Sequence, residues 1–120
     1  MGRTIQTELG NIVITDEVIA TIAGMAASEC YGIVGMAARR LQDGLAELLG
    51  REHLSRGVHV TMKGDNVAEI GLYVIVGYGV RITEVARNVV QQVRYAVEQA
   101  AGITVRDVSI HVQGVKVYER

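Results

Sequence analysis

The sequence predicts an α+β fold: a small four-stranded antiparallel or mixed sheet with two main helices on one face, in βαββαβ order close to a split βαβ motif, plus a short extra helix near residues 39–49. Three observations carry this. Ile82, Val85, Ala86, Val89, Val90, Val93, Val97 and Ala100 recur at the i, i+3, i+4, i+7 spacing of a single helical face. Just before them, Ala68, Ile70, Leu72, Val74 and Val76 alternate with Glu69, Gly71, Tyr73, Ile75 and Gly77, which is the period of a strand. The chain has 14 glycines and no proline, so its turns are built from glycine. With 49% hydrophobic residues and no low-complexity tract, residues 1–120 are expected to form one domain.

In chain order, residues 12–14 read as a short strand, prefaced by residues 5–9 with a bend at Gly10 and Asn11. Thr15 is placed to cap the first helix, with Asp16 and Glu17 against the positive end of its dipole. Its apolar stripe is Val18, Ile19, Ile22, Ala23, Ala26 and Cys30, and Ala20, Gly24, Ala27 and Ser28 allow a close neighbour. After GIVG (residues 32–35), Leu41, Leu45, Leu48 and Leu49 mark the shorter helix. Val58, Val60 and Met62 alternate with polar residues up to a Gly64-Asp65-Asn66 turn, and the long strand returns from there. Valine is a mediocre helix former, so the helix that follows depends on burial, at roughly 1.5–3 kcal/mol per large apolar side chain. Gly102 ends it, and Val108, Ile110 and Val112 give the last strand, with Gly114 as a bulge.

Composition narrows function. Twelve Lys+Arg against 13 Asp+Glu leave a net charge of −1, so nothing draws the chain to a polyanion and nucleic acid is not its default partner. A single cysteine, Cys30, suits a reducing compartment. The first ten residues hold no apolar segment of the secretory type, and the longest apolar run, residues 70–80, is too short to span a bilayer.

No residue pattern points to catalysis, a metal or a cofactor. His59 and His111 are expected on opposite edge strands, about 14 Å apart, too far to share an ion. Cys30 lies on a helix stripe, as a small buried hydrophobe would. GYG (residues 77–79) stands between strand and helix but lacks the lysine of a phosphate loop, although it offers a third reading as a ligand-binding turn. GIVG matches the GxxG loop of KH-type RNA-binding modules, and Gly32 and Gly35 with Arg39 and Arg40 form the alternative functional reading. The main candidate is the second face of the sheet, where Tyr73 and Ile75 sit with His111 amid Glu69 and Ser109. A sheet covered on one side only should be polar on the other, so apolar groups there mark an interaction surface for a partner or a second copy.

The residues also carry a resemblance. Glu29, Gly32, Ile33 and Met36 in an E-x-x-G-[IV]-x-x-M pattern, Tyr78-Gly79 before the second helix, Val97, Glu98 and Gly102 at its end, and the closing Val112, Gly114 and Val115 are similar to the alkaline shock protein family of Gram-positive bacteria, in particular its short single-domain branch. The resemblance implies a cytoplasmic, non-enzymatic protein of cell-envelope homeostasis without catalytic residues. It further implies self-association, attachment to the membrane through a separate anchoring protein, and a link to lipid metabolism through a kinase-like neighbour.

Overall fold

The structure is a computed structural model that describes residues 2–38 and 48–117. Most of the extra helix expected near residues 39–49 lies outside the described residues, as do Arg39 and Arg40. The chain begins with a hairpin of β1 (Gly2–Thr7) and β2 (Gly10–Thr15), paired from Gly2↔Thr15 to Thr7↔Gly10. Its turn falls at Glu8 and Leu9, just ahead of the expected bend at Gly10 and Asn11.

Helix α1 (Asp16–Ser28) starts as the residues dictate, with the Val18 amide donating to Thr15 Oγ1 over 3.3 Å. Its buried face is rotated from the expected one. Ile19, Ala20, Ala23, Gly24 and Ala27 are inside, while Val18 is 47% exposed. The small side chains decide this: a Cβ on Gly24 would lie 3.2 Å from Leu54 of the 3₁₀ turn Arg51–Gly57, so a larger residue would hold the two segments apart.

The remaining strands are β3 (Ile33–Met36), β4 (Val58–Met62), β5 (Val67–Gly77) and β6 (Thr104–Lys116), with α2 (Ile82–Ala101) before the last. Strand β5 is the hub. On one edge it pairs in parallel with β6 along its whole length, from Val67↔Thr104 to Gly77↔Lys116. On the other, β4 takes its first half antiparallel, Met62↔Ala68 to Val58↔Leu72, and β3 takes the second, with Met36↔Val74 and Ile33↔Val76. Residues 33–36 are therefore a strand, where a loop between helices was expected. Beyond Leu72 the edge of β5 has no β4 residue opposite it, and β3 satisfies the amides and carbonyls left there.

Both helices cover one face of this mixed sheet, and the core lies between them: Ala68, Ile70, Leu72, Val74 and Val76 of β5 meet Ile19 and Ala23 of α1 and Val85, Val89, Val93 and Val97 of α2. The α2 ridge is narrower than its periodicity allowed, since Ile82 is 41% exposed and Ala100 is exposed. A single i, i+4 ridge is enough because α1 packs alongside and shares the sheet surface. Gly102, at φ 66° and ψ 26°, ends α2 in the left-handed conformation, and its amide donates to Glu98 O.

The fully buried Leu72 should matter far more than the exposed Ile82. In urea titrations, Leu72→Ala is expected to lower the unfolding free energy by about 2–5 kcal/mol. Ile82→Ala should change it by less than about 1 kcal/mol.

Candidate interaction face

Side chains alternate along a strand, so the residues of β5 between its core positions must point away from the helices. The registers extend them into rows across the sheet: Thr61, Glu69 and Asp107, then His59, Gly71 and Ser109, then Tyr73 and His111. Gly71 has no side chain, and around it these residues line a shallow depression of about 230 Å³. At its rim Tyr73 and His111 stack with ring centroids 4.5 Å apart and planes 10° from parallel. The parallel β5–β6 pairing creates that contact by setting the two rings directly opposite each other.

Two expectations change here. His59 and His111 flank a single strand, so their strands stand about 10 Å apart instead of 14 Å. Both histidines border the same depression. Among the described residues, no group of three or more His, Cys, Asp or Glu is placed to hold a metal ion. Ile75, expected on the open surface with Tyr73 and His111, is only 6% exposed. It pairs with Gly35 of β3, over which the Leu48 side chain lies, and Leu48 itself bridges Ala37, so this end of the face is covered.

Charge is organised at the opposite end of the face. Glu69 accepts from Arg106, which stands at a β-bulge, and lies 3.9 Å from Lys63. The Arg106 hydrogen bond, helped by the charges of Arg106 and Lys63, holds the Glu69 carboxyl below its ordinary range against an opposing desolvation effect. Arg106 is held above its own ordinary value by the same bond. The Arg106 carbonyl also accepts from Arg94 of α2 over 3.4 Å.

The other sequence candidates resolve into structure. Gly32 sits at φ +89°, and a Cβ there would come within 2.6 Å of Val85 Cγ2. Its carbonyl accepts from the Gly77 amide at 3.0 Å. Gly32 and Gly35 thus belong to the join between β3, β5 and α2, and Arg39 and Arg40 lie outside the described residues. Residues 77–79 form a tight turn in which the Tyr78 amide donates to Lys116 O. Cys30 is buried, its Sγ lies 3.3 Å from Ala26 O, and burial, followed by the Glu29 charge, pushes its thiol pKa up, away from nucleophilic form. Sequence reasoning missed His59, Thr61 and Asp107 as members of the face, because their placement depends on strand order. It also passed over Tyr31, 83% exposed between two shallow depressions beside α2.

The model of the alkaline shock protein 23 family, described as having a cell envelope-related function, matches residues 4–117. The Bacillus subtilis protein YloU is 49% identical over 118 residues, covering 98% of each chain. The Streptococcus pyogenes protein Spy1614 is 37% identical over 118 residues, covering 98% of this chain and 97% of its own. Among solved structures, a histidine-to-alanine variant of MamM-CTD superposes with a TM-score of 0.50 at 11% identity, covering 88% of this chain and 100% of that one, a likeness of fold.

Two outcomes follow from this geometry. Gly32→Ala should cost about 1–3 kcal/mol in chemical denaturation, through strained backbone and overpacking on Val85. For Glu69, a folded carboxyl pKa below the unfolded one means a stabilising contribution present above the unfolded value of about 4.3, and lost as pH falls through the folded value. The difference in melting temperature between wild type and Glu69→Gln should therefore be constant near neutral pH and close on acidification.

Proposed function

The chain belongs to the alkaline shock protein 23 family, whose function is related to the cell envelope, and from that premise we propose that it is a non-enzymatic, cytoplasmic interaction module that takes a protein partner on its open sheet face. The observation that carries the reading is the Tyr73–His111 stack, set on the side of the sheet away from both helices. An aromatic pair at one end of a depression lined by hydrogen-bonding groups, here His59, Thr61, Asp107 and Ser109, supplies both an apolar anchor and polar partners for recognition. No helix among the described residues is long and apolar enough to cross a membrane. In this reading the partner is the membrane-anchored component, and any tie to membrane-lipid homeostasis runs through it.

Site-specific photo-cross-linking in cells tests this. A cross-linking residue at His111 should give a discrete protein adduct in the membrane fraction, and one at Tyr95, on the exposed side of α2, should not. Tyr73→Ala should reduce the His111 adduct at least about tenfold, as removal of an interface anchor does. Equal adducts from both positions, or none from His111, would remove the sheet face from the reading.

A further inference from the structure

We propose that the depression between the end of α1 and the outer side of α2 binds a small guanidinium compound, held by the Glu29 carboxylate and the rings of Tyr31 and Tyr95. The site begins with a residue that local electrostatics disfavours. Glu29 is the C-cap of α1, at the negative pole of the helix dipole, and the last turn carries no basic residue to offset it. Among the described residues no Lys, Arg or His pairs with Glu29, whereas Glu69 has Arg106 and Lys63, and Glu84 has Arg81. A full negative charge and a partial one thus stand together without a cation from the described chain.

Packing sets that charge in a recess. Helix α1 lies alongside α2, and Tyr31 stands in the turn that follows α1. Asn88, Gln92 and Tyr95 have the i, i+4, i+7 spacing of one stripe on α2. With Glu29, Cys30 and Tyr31 they line a depression of about 290 Å³, and no Lys or Arg is among its lining residues. Tyr31 is 83% and Tyr95 66% exposed, and neither ring is stacked or hydrogen-bonded among the described residues. The Glu29 charge reaches into the recess, where it adds to burial in raising the Cys30 thiol pKa.

The chemistry of the lining selects the ligand. Uncompensated negative charge calls for a cation, and tyrosine rings attract one over their faces. The carboxylate and the amide oxygens of Asn88 and Gln92 are acceptors for N–H donors, which a quaternary ammonium lacks. A guanidinium meets all three demands, because it is cationic, stacks on aromatic rings and pairs with a carboxylate through two parallel hydrogen bonds. The volume, close to the lower bound of roughly 300 Å³ for ligand pockets, suits a free compound of few atoms. This site lies on the helix layer, across the sheet from Tyr73 and His111, and goes beyond the partner surface proposed above.

Titration of the full, nitrogen-15-labelled chain with ethylguanidinium chloride, followed by NMR at constant ionic strength, tests the site. Saturable shifts should appear at Tyr31, Asn88, Gln92 and Tyr95. Ethylurea, neutral and of the same shape, should give none, and tetramethylammonium should bind at least about threefold more weakly. Glu29→Gln should weaken ethylguanidinium binding about tenfold or more. Its melting temperature without ligand should equal or exceed that of the wild type, since a charge leaves the unfavourable end of α1; a purely structural Glu29 would instead lower it. Tyr31→Leu and Tyr95→Leu should each weaken binding roughly two- to fivefold. Glu84→Gln, in the adjoining depression, should bind as the wild type does. The proposal is overturned by an absence of saturable shifts, by equal binding of ethylurea or tetramethylammonium, or by a Glu29→Gln variant that binds normally.

Discussion

The structure depends on β5 being paired along both edges. A parallel neighbour cannot follow through a tight turn, so the chain must leave the end of β5, cross the sheet and return to start β6 beside it. Helix α2 is that crossing, and its Val85, Val89, Val93 and Val97 ridge is buried because it passes over the alternate residues of β5. On the other edge, β4 stops opposite Leu72 and β3 completes the pairing. The hub strand is thus held from both sides and sealed on one face.

That constraint also shapes what the molecule offers to others. Parallel registration sets Tyr73 beside His111 and Glu69 beside Asp107, and the antiparallel register with β4 brings His59 and Thr61 to the same surface. Gly71 in the middle leaves the depression between them. The groups gathered there are hydrogen-bonding and aromatic, and the proposed partner reading rests on them. Among the described residues the same topology leaves β6 paired with β5 alone, with Val112 and Val115 partly exposed beyond helix cover.

What the sequence revealed follows the range of the interactions involved. Helix α2, its Gly102 cap, the Thr15 cap and the alternation of β5 are set by neighbours a few residues away, and all were readable. Strand β3 was not: four residues with a glycine inside resemble a loop, and only the vacant edge of β5, some forty positions on, makes them a strand. The burial of Ile75 follows from that same pairing, which is why its period-2 assignment to the outer face was right about direction and wrong about exposure. The face of α1 turned toward its small residues because the shape of Leu54 decides the fit, a contact no periodicity encodes. The convergence of His59 and His111 is likewise a property of strand order.

The most direct test is the direction of β6. In the NMR spectrum of the folded chain, cross-strand contacts between backbone protons should link Glu69 with Asp107, Gly71 with Ser109 and Tyr73 with His111, the numbers rising together along both strands. Contacts whose numbers run in opposite senses, or a different strand beside residues 69–73 on that edge, would contradict the parallel hub and the face built on it.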